Sequence, residues 1–108
     1  MMPNQDTLPL SSEKQRLAAM LKALGNLTRF QILEILSNKH VCSTHEIVQC
    51  FFLTQSTISQ HLKVLVKAGL IQSETAGATT RYSIDSEGVR WLKHQVSHWL
   101  PERPLPDD

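Results

Sequence analysis

The sequence predicts a mainly α-helical domain with one small β-hairpin, its elements in the order α-α-α-α-β-β-α. Three observations carry this prediction. Helix-start signals recur through the first half of the chain. A short helical segment is followed by a longer one whose apolar residues repeat at the helical period. Two β-prone runs then flank Ala76-Gly77-Ala78, ahead of a final amphipathic stretch. A short helix, a longer helix and a hairpin in that order have the spacing of a winged helix-turn-helix.

The helix starts are read from capping-box patterns, in which a hydroxyl and a Glu or Gln on the following turn satisfy the free amides of a helix N-terminus. Ser12 with Gln15, Thr28 with Gln31, and Ser43 with Glu46 fit the pattern. The first helix is expected to run to about Leu24, with Leu17, Leu21 and Leu24 as its apolar stripe and Gly25 as its stop. The second spans about Arg29 to Leu36, and a short third spans about Thr44 to Phe51. Phe52 and Leu53 lead into the fourth, for which Thr54 is the expected N-cap and Gly69 the end. Strands are expected over Ile71 to Thr75 and Thr79 to Ile84, and a last helix over about Asp85 to Leu100. Val89, Leu92, Val96 and Trp99 give that helix a stripe wide enough to bury.

The chain has 108 residues, of which 41% are hydrophobic. A chain this size buries roughly 65% of its unfolded surface and builds a core unaided. Residues 12–100 are expected to form the domain. Residues 1–11 and 101–108, rich in proline and polar groups, are expected to be flexible tails. No apolar run approaches the roughly 20 residues that span a bilayer, and no secretory signal pattern opens the chain, so a cytoplasmic location without membrane partner is expected. In that compartment the two cysteines are expected to be thiols.

The fourth helix carries the chemistry. At about 100° per residue, Ile58, Leu62 and Leu65 fall on one face, while Ser56, Gln60, Lys63 and Lys67 fall on the other. Hydroxyl, carboxamide and ammonium groups in front of an apolar back suit the DNA major groove, where base edges present donors and acceptors between phosphates. The net charge of +1 adds little, but its distribution does: from Ile47 to Ser73 the only formal charges are Lys63 and Lys67. Modest affinity per module favours a dimer that doubles the contact.

Leu24-Gly-Asn-Leu-Thr-Arg-Phe-Gln-Ile-Leu33, Ile58-Ser-Gln-His-Leu62 and Lys67-Ala-Gly-Leu-Ile71 together resemble the ArsR/SmtB family of winged-helix repressors, over roughly residues 13–100. The resemblance implies a homodimer built from the first and last helices. It would bind a two-fold operator in double-stranded DNA and leave it when an effector binds. Carried over by position, it assigns base reading to Gln55, Ser56, Ser59 and Gln60, with Thr57 beside them, phosphate contact to Lys63, and minor-groove or backbone contact to Arg81 on the second hairpin strand. The competing reading is a solvated helix face. His61 lies about 60° from Ile58 toward the apolar side and is expected to be a partly buried structural residue.

Family members commonly bind metal or metalloid through a CxC beside the third helix. Here Ser43 and His45 stand where those cysteines would be, and Cys42 is one position early. Cys50 lies eight residues beyond Cys42. That is about 12 Å along a regular helix, too far for one tetrahedral site. Cys42, His45 and Cys50 thus form a ligand set only with help from another segment, and the alternative is a structural or redox-reactive thiol. A second family site lies on the last helix, as DxH and HxxE; its partial echo here is Asp85, Glu87, His94 and His98, whose bland reading is an exposed polar face. His94 and His98 share a face and suit zinc or nickel. Zinc, nickel and arsenite are the implied effectors. A third branch, sensing persulfides or oxidants, pairs cysteines of the second and last helices; Glu34 stands at the first position and the last helix has no cysteine.

Two other classes compete. His45-Glu46 opens like the zinc-protease HExxH, but Gln49 replaces the second histidine, and no P-loop, dinucleotide turn or nucleophile elbow occurs. An enzyme is therefore not expected. A winged helix that binds protein rather than DNA is the stronger rival, because fold alone does not fix function. It would expose apolar residues where this chain has Ser56, Gln60, Lys63 and Lys67.

Overall fold

The computed structural model describes residues 9–106, so the tail expectations for residues 1–8 and 107–108 lie outside the described residues. Five helices and three strands follow one another: α1 (Ser12–Leu24), α2 (Leu27–Lys39), β1 (Val41–Ser43), α3 (Thr44–Val48), α4 (Gln55–Lys67), β2 (Ile71–Ala76), β3 (Thr79–Ile84) and α5 (Ser86–Trp99). The helix-turn-helix and its hairpin stand where the sequence places them. β1 is an addition: the sheet has three antiparallel strands in the order β1-β3-β2, with Cys42 opposite Tyr82 and Ser73 opposite Tyr82 on the other side.

Two helix starts differ from expectation. α1 is capped by Ser11, whose Oγ accepts from the Lys14 N–H at 3.2 Å, and Gln15 instead donates its Nε2 to the Leu10 carbonyl at 3.0 Å. α2 is capped by Asn26, whose Oδ1 accepts from the Arg29 N–H at 3.1 Å, so Thr28 lies inside the helix. Asn caps as well as Ser or Thr do, but the capping-box pattern is blind to it. α2 also runs on to Lys39. It ends at His40, whose φ of 71° is left-handed and turns the chain sharply into β1. Glycine or asparagine usually marks such a stop, and neither stands here.

The Ser43–Glu46 capping box forms in full, with both bonds made at 3.1 and 2.9 Å. α3 is shorter than expected and ends at Val48. Gly69 has the expected left-handed φ of 80°, and the Leu70 N–H behind it bonds the Leu65 carbonyl at 3.1 Å, closing α4. The core is built from one face of each helix: Leu17, Met20, Ile32, Leu36, Ile47, Ile58, Leu62 and Leu65, completed by Cys42, Leu70 and Ile71 from the sheet side. α5 closes the fold with Leu92 buried and Val89 and Val96 packed beside it, while Trp99 stays half exposed. Arg16 of α1 stacks over the Trp91 ring of α5, its Cζ 4.0 Å from the centroid.

Candidate nucleic-acid interface

α4 divides as its periodicity predicts. Ile58, Leu62 and Leu65 are fully buried, which anchors the helix and fixes its rotation. Gln55, Ser56, Thr57, Gln60, Lys63 and Lys67 are exposed, and Ser59 is half-buried. Thr54 caps the helix, accepting from the Thr57 N–H at 3.1 Å and donating to the Thr57 hydroxyl at 3.0 Å. The Thr57 hydroxyl is thereby oriented by the cap.

The outward residues fall into two rows. Gln55, Ser59 and Lys63 line a groove of about 530 Å³ whose opposite wall is Thr79, Thr80 and Tyr82 of β3, with Ser43, Thr44 and His45 at its end. Ser56 and Gln60 stand on the crest beside it, open to solvent. A row inside a groove and a row on its crest is what a helix needs to meet backbone and base edges together. Among the described residues that line it, Lys63 carries the one formal charge. It also borders a second cleft with Lys67, Ser73 and Tyr82.

Arg81 is placed otherwise. Strand alternation puts Thr80 and Tyr82 toward α4 and Arg81 on the opposite face of the sheet. Its cross-strand partners are Glu74 and Ser43. The Glu46 carboxyl is held below its usual pKa, first by hydrogen bonds from Ser43 and further by the charges of Arg81 and Lys39. Arg81 thus sits between acids, on the outer side of the hairpin.

His61 is the partly buried residue expected, and its partner was not legible in sequence. Arg29 donates Nε to the Ala23 carbonyl at 2.7 Å and Nη1 to His61 Nδ1 at 3.2 Å, joining the end of α1 to α4. Because guanidinium only donates, Nδ1 accepts and the imidazole is neutral. Desolvation lowers the His61 pKa from its ordinary 6.5, and the charge of Arg29 lowers it further. The unfolded chain therefore binds the proton more readily than the folded one, so this contribution is complete above about pH 6.5 and is lost as pH falls through the folded-state value. Urea unfolding is expected to show stability falling as pH drops below neutrality, with a shallower slope in His61→Gln, whose amide oxygen still accepts from Arg29; an unchanged slope would remove His61 from that account.

The ligand candidates are scattered. Cys42 lies on β1, not on a helix, so the spacing argument along one helix does not apply to it. Its side chain is buried, and burial, with Glu46 adding to it, raises the thiol pKa and disfavours the ligating thiolate. Cys50 is exposed, its Sγ 3.5 Å from the Glu46 carbonyl, and His45 Nε2 lies 3.0 Å from Gln49 Nε2. On α5, Asp85 serves as N-cap for the Gly88 N–H at 3.0 Å, and Glu87 lies in the first turn. The His94 and His98 rings lie with centroids 4.1 Å apart and planes tilted by 45°, and His98 Nδ1 donates to the His94 carbonyl at 2.9 Å. Among the described residues, no three His, Cys, Asp or Glu side chains of one chain converge on a point where a metal ion could be held.

Residues 26–73, which run from the cap of α2 into β2, match the family model of bacterial regulatory proteins of the arsR family. The arsenical resistance operon repressor of Bacillus subtilis (strain 168) is 35% identical over 71 residues, covering 66% of this chain and 68% of the relative. The regulator YgaV of Escherichia coli (strain K12) is 35% identical over 80 residues, covering 74% of this chain and 81% of that one. This chain belongs to the ArsR family. The solved structure of HlyU from Vibrio cholerae N16961 superposes with a TM-score of 0.67 at 27% identity, over 86% of this chain and 100% of that one. The ArsR-family chain is a DNA-binding transcriptional regulator, and α3, α4 and the hairpin are its winged helix-turn-helix. No helix among its described residues is long and apolar enough to cross a membrane.

Proposed function

We propose that this protein is a repressor that binds a two-fold operator as a homodimer and leaves it when an effector binds. The single observation that carries the reading is the capped, buried-backed α4, with Ser56 and Gln60 on its crest and Gln55, Ser59 and Lys63 in the adjoining groove. Gln55, Ser56, Ser59 and Gln60 read base edges, with Thr57 oriented beside them. Lys63 meets phosphate, and Arg81 reaches the DNA backbone from the outer side of the hairpin. Two α4 helices about 34 Å apart enter successive major grooves.

The homodimer reading is supported by apolar surface left on the first and last helices. Leu10, Leu21, Trp99 and Leu100 are between 38% and 66% exposed. Leu21 and Trp99 border one shallow cleft with Leu10. Apolar side chains gathered in one exposed patch favour burial against a partner.

Effector binding that resets the two protomers takes both α4 helices out of register; a coupling of roughly 1–3 kcal/mol changes affinity from several-fold to more than a hundredfold. Among the described residues zinc, nickel or arsenite finds no complete donor set within one chain, so Cys42, His45 and Cys50, or Asp85, Glu87, His94 and His98, would hold one with further donors from the N-terminal tail or the second protomer. The Nδ1–H of His98 donates to the His94 carbonyl, which leaves the Nε2 lone pair as that ring's ligating position.

Fluorescence anisotropy of the reduced, metal-free protein on its own upstream DNA tests the reading. It is repeated with zinc, nickel, arsenite and an oxidant, and with a Cys42→Ser/Cys50→Ser variant. Tight binding released by one addition is expected, and the variant shows whether thiols carry the sensing. Failure to bind upstream DNA at low salt would overturn the repressor reading in favour of a protein-binding winged helix.

A further inference from the structure

A cleft of about 440 Å³ runs between α1 and the C-terminal half of α4, on the side of α4 away from the hairpin groove. Its walls are mainly apolar: Ala19 and Ala23 on α1, Val64 on α4 and Ala68 at its C-cap. Three cations complete the lining, Lys22 from α1, Arg29 from α2 and Lys67 from α4, and among the described residues no carboxylate lines it. Three positive charges from three elements around one apolar trough raise the local positive potential and favour an anionic occupant. The volume lies within the range of small-molecule clefts, which pair apolar walls with a few convergent polar groups.

We propose that this cleft binds a small amphipathic carboxylate, with one anionic head between Lys22, Arg29 and Lys67 and a short apolar body along Ala19, Ala23 and Val64. Arg29 gives the site a link to the rest of the molecule. Its guanidinium has five N–H donors. Among the described residues Nε is taken by the Ala23 carbonyl and Nη1 meets His61, while Nη2 makes no protein hydrogen bond. A carboxylate is a stronger acceptor than neutral imidazole and favours two parallel bonds from one guanidinium. Binding therefore draws Arg29 from His61 and loosens the tie between the end of α1 and α4. The effect on operator affinity rests on the repressor reading; the binding itself does not.

The test is isothermal titration of the full chain with octanoate, alongside octanol and inorganic phosphate, then with Lys22→Gln and Lys67→Gln. Saturable binding at one site per chain is expected, with each variant weakening it about tenfold, the loss of one charge-assisted contact. Octanol and phosphate should each bind at least about tenfold more weakly than octanoate, because each offers only half of the recognition. No octanoate binding at millimolar concentration, equal binding of octanol or phosphate, or unaltered affinity in both variants would each overturn the proposal. Anisotropy on operator DNA then separates the two readings. Octanoate should weaken the wild-type complex and affect Lys22→Gln much less, while Lys22→Gln without octanoate binds DNA as the wild type does. A Lys22→Gln protein that lost DNA affinity without ligand would make the cleft part of the DNA interface and overturn the carboxylate site.

Discussion

Gly88→Ala should destabilise the protein by about 1–3 kcal/mol, the range of an overpacked core, although the same change in an ordinary helix interior stabilises by about 1 kcal/mol. The sign turns on one contact. A Cβ built on Gly88 would lie 1.8 Å from the Gly69 carbonyl oxygen and 3.0 Å from its carbonyl carbon. Both obstacles are backbone, so no rotamer change relieves them. Gly69 is itself held, with φ 80° at the end of α4, and the chain beyond it is pinned where the Asp85 N–H bonds the Leu70 carbonyl at 3.0 Å. Accommodating the methyl group means lifting α5 off the end of α4. That disturbs the seat of Leu92 and the stacking of Arg16 on Trp91. Urea unfolding measures the loss, and Gly25→Ala is the control: φ there is −74° and the nearest atom is 3.4 Å away, so its stability should stay near the wild type. A Gly88→Ala protein as stable as the wild type would show that α5 does not dock so closely.

Gln60→Ala and Lys63→Ala should separate two kinds of DNA contact that lie about one helical turn apart. Gln60 stands exposed on the crest of α4, and a lost bidentate base contact costs about 1–3 kcal/mol at one position of the site. Its loss should appear on operator DNA and be nearly absent on random sequence. Lys63 lines the groove against Thr80 and Tyr82, and its loss should weaken binding to any DNA and reduce the salt slope by about 1 per site. Anisotropy titrations from low to moderate salt, on both DNAs, read both quantities. Equal losses on operator and random DNA for Gln60→Ala would end its assignment to base reading. An unaltered salt slope for Lys63→Ala would do the same for phosphate.

Much of the recognition unit was legible because its signals are local. Thr54 caps the helix it precedes, the Ser43–Glu46 box forms, and Gly69 and Gly77 take the left-handed φ that ends α4 and turns the hairpin. Ile58, Leu62 and Leu65 repeat at the helical period and are all buried. The misread helix starts show where a local pattern runs out. Ser11 and Ser12 are adjacent, and a rule that asks for Glu or Gln on the next turn selects the wrong one; Asn26 caps without any such partner.

The sequence by itself determined which face of α4 is buried, where that helix begins and ends, and that a hairpin follows it, since periodicity and capping act over a few neighbouring residues. Only the tertiary structure decided the rest. β1 is three residues long and exists because Cys42 meets Tyr82 from far along the chain. Pleat alternation within that sheet turns Arg81 away from α4. Gly88 is required by the Gly69 carbonyl, and Arg29 finds His61 across 32 positions. Lys22, Arg29 and Lys67 surround one cleft only because three helices cross there. Each of these depends on where distant backbones come to rest, and that is set by the packing of the whole core.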